Sequence, residues 1–190
     1  MSIKYTQIVQ TLPSSVPFVG PEAQERRLGK NFEARIGANE SVFGASPKAV
    51  LAMMDEIGQA WKYGDPESFD LKHALAKKHN VAFENIIVGE GIDGLLGYLV
   101  RLFVEQGDNV VTTDGAYPTF NYHVEGFGGQ LHKVPFKDHT EDLDNLLNKV
   151  IETKAKMLYI SNPNNPMGTI NSVNDINNLI EYLPTETLLC

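Results

Sequence analysis

From Asn85 onward the chain alternates short apolar runs with amphipathic stretches, and few sequence patterns restrict a fold more tightly. Strands are predicted at Asn85–Val88, 109–113, QLHKVPF from 130, 155–160 and the closing TETLLC. Helices are predicted after the glycines at 89–94 to about Glu105, near 118–127, over 140–152 and from the cap at Ser172 to about Leu183. Strands separated by helices over short connections fold as a parallel sheet covered on both faces. The expected class is therefore α/β, a three-layer sandwich with a mostly parallel sheet. Ligands of such sheets sit beyond the carboxyl ends of the strands. Three loops leave such ends: Gly89–Gly94, Asp114–Thr119 and Ser161–Thr169.

The preceding segment is less regular. Residues 1–34, broken by Pro13, Pro17 and Pro21, read as an N-terminal arm with one short helix, ahead of a main domain over 35–190. Ser46-Pro47 combines a cap with proline at the first helical position and opens a helix to about Trp61. YGDPES at 63–68 is a turn from which Ser68 is expected to cap a helix to His79.

Charge and composition exclude several functions. The net charge is −8 and no Lys/Arg cluster is present, which argues against nucleic acid. No apolar run approaches the ~20 residues of a membrane span, and the first 20 residues lack a secretory pattern. Cys190 is the single cysteine, so neither an internal disulfide nor a thiolate cluster is available. The five histidines show no metal-binding spacing, and no metal is expected. A cytoplasmic setting follows as the default.

The chemistry is concentrated in the three loops. In VGEGIDG, glycines permit close backbone approach and the helix start presents free amides, so Gly91, Ile92 and Asp93 form a candidate phosphate cradle. A plain strand-to-helix turn fits the same residues. So does a dinucleotide site, because Gly89, Gly91 and Gly94 match GxGxxG, with Asp108 or Asp114 as the acidic partner. Tyr117 beside Pro118 can stack on a planar ligand or simply pack. In SNPNNPMGT the prolines forbid both ladder and helix. Asn165 there can donate to a phenolate-type oxygen, or the asparagines can bond only within their own turn. A cis bond is expected at Asn165-Pro166.

Together these motifs resemble the class I/II aminotransferases of pyridoxal-phosphate fold type I, in particular the branch similar to histidinol-phosphate aminotransferase. The residues that carry the resemblance are ARIGANESVFGASPKAV, YGDPESFDLKHALAKKHNV, NIIVGEGIDGLLGYLVRLFVEQGDNVVTTDGAYPTFNYHVEGFGG and SNPNNPMGT, in that order. It runs from about Arg35 to the end. It implies the large domain of the aspartate-aminotransferase-like fold, and pyridoxal 5'-phosphate as cofactor. By that resemblance Gly91, Ile92 and Asp93 bind the phosphate, Tyr117 stacks on the ring and Asn165 bonds its phenolic oxygen. Tyr63 reaches the phosphate of a neighbouring subunit in a homodimer. Gly37, Ala38 and Asn39 lie near the substrate carboxylate.

Three positions depart from the pattern. Ile92 stands where a small or hydroxyl residue is usual, Met167 where threonine or serine is, and Gly115 where proline often is. More consequentially, every lysine precedes the Asn-Pro loop and none matches the Schiff-base position. The resemblance puts that lysine and the pyridinium-binding acid beyond Cys190, along with the small C-terminal domain, so no catalytic residue is assigned. The chain thus reads as the N-terminal portion of an enzyme moving an amino group between an amino acid, or an amino-alcohol phosphate, and a 2-oxo acid, and is expected to be inactive alone. The alternatives are a non-catalytic aminotransferase-like module and a Rossmann-type nucleotide-binding domain.

Overall fold

The computed structural model describes residues 3–14 and 19–190. It falls into two units, residues 89–190 with the N-terminal helix α1 (Gln7–Thr11), and residues 19–88.

In the larger unit the expected alternation is observed. The order is α5 (Gly91–Phe103), β1 (Asn109–Thr113), α6 (Pro118–Gly126), β2 (Gln130–Val134), α7 (Leu143–Thr153), β3 (Met157–Tyr159), α8 (Val173–Tyr182) and β4 (Leu188–Leu189). The sheet order is β2-β1-β3-β4 and every pairing is parallel, with Val111 opposite His132 and Leu158. Side-chain alternation along the strands divides the core into two layers. Val110, Met157 and Tyr159 pack with Leu96, Val100, Phe120 and Val124 of α5 and α6. Val111 and Leu158 pack on the other face with Leu146 and Val150 of α7 and Leu179 of α8. The fold is therefore an α/β three-layer sandwich. A β-carbon on Gly129, which leads into β2, would lie 2.9 Å from Val104 and Val124 methyls, so only glycine lets the chain turn this close to the core.

α8 begins as expected. Ser172 Oγ accepts from Asp175 N at 3.2 Å, and Asp175 Oδ2 accepts from Ser172 N at 3.1 Å, a reciprocal capping box.

The smaller unit contains α2 (Pro21–Leu28), α3 (Pro47–Glu56), α4 (Phe69–His79) and 3-10 turns at Ile57–Gln59 and Phe83–Asn85. With α1 and α2, residues 1–34 carry two short helices among the described residues rather than one. In the smaller unit only Ala76 is buried among the described residues. Phe83 lies 5.7 Å from Phe69 and 4.5 Å from His73, and this aromatic contact ties α4 to the second turn.

Three expectations are corrected here. Ser46 stands just before α3 with Pro47 at the first helical position, but its side chain makes no cap bond. Ser68 does not cap α4: its backbone is left-handed at φ 48°, and its side chain makes no cap bond. Asp65 takes that role, accepting from Phe69 N at 2.8 Å and from Glu67 N at 3.0 Å. Asn85–Val88 is not a strand. Asn85 ends a 3-10 turn, and among the described residues Ile86–Val88 forms no strand, with Ile87 76% exposed. A strand exists through the neighbour that takes its amides and carbonyls, which strand-like composition alone does not supply. Among the described residues no helix is long and apolar enough to cross a membrane, and no group of three or more His, Cys, Asp or Glu is placed to hold a metal.

Candidate functional site

The first turn of α5 is built by glycine. Gly91 has φ 74° and donates its amide to Gly89 O at 2.8 Å, which turns the chain sharply into the helix. No side chain caps this end. With Gly91 N engaged, the amides of Ile92 and Asp93 have no partner among the described residues. These are the donors a helix start offers to an anion.

Two carboxylates flank the turn, and a tyrosine hydroxyl binds each. Tyr117 Oη donates to Asp93 Oδ1 at 2.9 Å, and Tyr98 Oη to Glu90 Oε2 at 3.1 Å. The Glu90 bond raises the Tyr98 pKa above the ordinary phenol value. Both acidic side chains at the turn would repel an anion, so only the backbone amides there are suited to one. The Tyr117–Asp93 bond joins two of the predicted site residues directly. It fixes the half-buried Tyr117 ring against the mouth of α5, one residue before α6 begins.

The third loop follows β3, the strand beside β1 in the sheet. Asn162-Pro163 and Asn165-Pro166 are both cis, the second as expected and the first beyond expectation. The asparagines divide the labour. Asn162 exchanges two bonds with the Asn171 backbone, at 2.9 and 3.2 Å. Asn164, 5% exposed, bonds Met167 N through Oδ1 at 3.1 Å, while its backbone bonds Thr169 and Gly168 at 2.8 Å each. Asn165 is half-buried, and its side-chain amide has no partner among the described residues. The turn consumes two asparagines and leaves the third free.

Glu141, which sequence reasoning missed, sits beneath this loop, 3% exposed. It accepts from Asn164 Nδ2 at 2.8 Å and from Ser161 N at 3.2 and 3.3 Å. Burial raises its pKa above the usual carboxyl value. The Ser161 amide, the Asn164 side chain and the facing Thr113 hydroxyl, which closes no well-aligned bond, work against that shift. Glu141 stands one residue before Asp142, the cap of α7, and nothing in the local pattern separates the two. Burial pushes the Tyr159 phenol at the end of β3 up to about 12, helped by the nearby charges of Cys190, Glu141, Tyr117 and Asp93. Asp93 and Tyr117 of the first two loops, and Glu141 beneath the third, thus act on the end of β3.

The remaining predicted residues belong to the smaller unit. Tyr63 is wholly exposed. Gly37, Ala38 and Asn39 form an exposed turn, with Ala38 and Asn39 left-handed at φ 57° and 56°. Arg35 braces that turn through Glu22 at 2.9 Å and Glu40 at 3.2 Å, and a cavity of about 220 Å³ adjoins Gly37 and Ala38.

Residues 34–189 match the family model described as aminotransferase class I and II. A histidinol-phosphate aminotransferase 2 of Carboxydothermus hydrogenoformans is 30% identical over 181 residues, covering 95% of this chain and 50% of its own. A solved histidinol-phosphate aminotransferase from Sinorhizobium meliloti, in complex with pyridoxal-5'-phosphate, superposes with a TM-score of 0.94 at 50% identity, over 100% of this chain and 50% of that one. An aspartate aminotransferase from Rhizobium meliloti shares the fold, with a TM-score of 0.77 at 19% identity over 99% and 50% of the two chains. The chain spans about half the length of the curated relatives it matches.

Proposed function

The chain belongs to the class I and II aminotransferase family, and from that premise we propose that it forms the pyridoxal 5'-phosphate cradle of an aminotransferase. The whole protein would move an amino group between an amino acid or amino-alcohol phosphate and a 2-oxo acid. Histidinol phosphate is the leading amino-alcohol phosphate, after the names of the relatives. The observation that carries this reading is the unpartnered Asn165 amide in a loop whose other asparagines are each bonded through both side-chain polar atoms. The free amides of α5 and a tyrosine ring anchored at that helix mouth also support it. A planar ring with a phenolic oxygen and a phosphate tail needs those three kinds of contact.

In this reading the Ile92 and Asp93 amides bind the phosphate, with Gly91 shaping the turn that aims them. Tyr117 lays its ring on the cofactor, and its hydroxyl, held by Asp93, keeps the plane from rotating. Asn165 Nδ2 donates to the phenolic oxygen and favours its ionised form. When bound, the cofactor supplies an electron sink that acidifies the Cα–H of an amino substrate. Gly37, Ala38 and Asn39 form part of the substrate side, and Tyr63 reaches the phosphate site of a second copy in a homodimer. A dinucleotide reading has less support, because GxGxxG acts where a strand feeds the helix, and among the described residues Ile86–Val88 forms no strand.

Separate titrations with pyridoxal phosphate and NAD, followed by cofactor absorbance and ultrafiltration, test the reading. Pyridoxal phosphate should bind and NAD should not. Asn165→Ala and Tyr117→Ala should each raise the dissociation constant about tenfold, the scale of one lost charge-assisted hydrogen bond or stacked ring. A preference for NAD, or an Asn165→Ala variant that binds unchanged, would overturn it.

A further inference from the structure

Asn165 can present its amide only if the loop around it keeps its shape, and the loop is fastened from below. Glu141 takes the Asn164 side chain and the Ser161 amide. Thr169 Oγ1 adds a bond to His139 O at 3.0 Å on the same connection between β2 and α7. Four of the loop's groups (Asn164 N, O, Oδ1 and Nδ2) are spent holding Asn164 in place, and the last of these ends on Glu141. Without an acceptor there, the buried Asn164 side-chain amide and the partly buried Ser161 N–H lose their partner at the base of the residue next to Asn165.

We propose that Glu141 is a positioning residue for the cofactor loop, its buried acceptor oxygens setting the Asn162–Thr169 turn so that the Asn165 amide faces outward from the strand end. This rests on the cofactor reading above. The role belongs to the acceptor oxygens and not to the charge. An amide in the same place can accept from Asn164 and turn its own N–H toward the unbonded Thr113 hydroxyl.

The test compares Glu141→Leu, Glu141→Gln and the unaltered 190-residue chain in two measurements. One is the dissociation constant for pyridoxal phosphate. The other is the ¹⁵N–¹H spectrum of the cofactor-free protein at the Met167 and Ser161 amides and the Asn165 side chain. Glu141→Leu should shift those resonances and weaken binding about tenfold, whereas Glu141→Gln should keep the spectrum and stay within about threefold. Unchanged resonances and affinity in Glu141→Leu would overturn the proposal, as would a Gln variant that falls as far as Leu.

Should Glu141→Leu fail to fold, a swap decides. Asn164→Asp alone opposes two carboxyls and should weaken binding about tenfold. Adding Glu141→Gln to it exchanges donor and acceptor between the two positions. The new carboxylate then receives an N–H from the new amide, whose oxygen stays available to Ser161 N, and most of the loss should be recovered. No recovery would overturn the proposal. If the unaltered chain does not bind pyridoxal phosphate while the spectra behave as described, the cofactor reading fails and the loop assignment stands.

Discussion

The sheet unit and the helical unit are made of similar residues yet hold together differently. Residues 89–190 bury both faces of a parallel sheet, with Phe120, Leu96, Leu146, Met157 and Leu158 removed from solvent. Residues 19–88 contain helices as regular, but Leu51, Met53, Met54, Ile57 and Trp61 are exposed and Ala76 alone is buried. Helices in the smaller unit stand on local devices: proline at the first position of α2 and α3, Asp65 ahead of α4, a phenylalanine–histidine contact at its foot. Helices in the larger unit stand on packing. The difference explains why the loops after β1 and β3 can be held to hydrogen-bond precision, since each leaves a strand locked between two layers.

Truncating side chains should expose the contrast most strongly. Phe120 is fully buried and stacks on Tyr159 with ring centroids 4.3 Å apart. Phe120→Ala should destabilise the sheet unit by about 3–5 kcal/mol, from lost transfer energy plus a cavity. Trp61 is the larger side chain but is 79% exposed, and Trp61→Ala should change stability by no more than about 0.5 kcal/mol. Urea unfolding of both variants checks this. Equal losses would mean that the smaller unit has a core of its own.

The two units also carry acids of opposite pH behaviour. The Glu141 pKa is raised, chiefly by burial, so the folded state holds its proton more tightly than the unfolded chain does. Its favourable contribution is full below the ordinary unfolded value of about 4.3 and is lost as pH rises through the folded value. Glu141→Gln should therefore gain on the unaltered protein in unfolding midpoint between about pH 4 and pH 7. The neighbouring Tyr159, Asp142, Asp144 and Lys137 are common to both proteins and cancel. Asp65 is the reverse case. The Phe69 and Glu67 amides hold its pKa down, so its contribution is full above the unfolded value and lost on acidification. Asp65→Asn should lose stability at about pH 7 and converge with the unaltered protein in acid. Parallel pH curves for either pair would contradict the assigned environment.

What the sequence made legible follows the same division between local and distant causes. β1 and β2 at 109–113 and 130–134, the cis bond at Asn165-Pro166, and the Ser172 cap all rest on residues within a few positions of one another. The family motifs added the candidate roles of Tyr117, Asp93 and Asn165, and the Tyr117–Asp93 bond spans 24 residues that no local pattern links. Ile86–Val88 reads as a strand because its composition is strand-like, but pairing depends on a neighbour that composition does not specify. Glu141 is hidden for a related reason. Its partners, Ser161 and Asn164, lie 20 and 23 residues further on, and only the fold brings them beneath the same loop.

Two serines give the finest test of that division. Ser68 and Ser172 each precede a helix and read alike in the sequence. Ser172 Oγ accepts the Asp175 amide, so Ser172→Ala should cost about 1 kcal/mol by removing a first-turn acceptor. Ser68 makes no cap bond, because Asp65 already takes the Phe69 amide, so Ser68→Ala removes nothing that α4 depends on. Its effect on unfolding should lie within about 0.5 kcal/mol. Ser68→Gly should match or exceed the unaltered protein, since glycine adopts φ 48° without the crowding a β-carbon brings. A loss for Ser68→Ala as large as that for Ser172→Ala would mean that the serine, and not Asp65, secures the start of α4. The smaller unit's helices would then depend on the same device as α8.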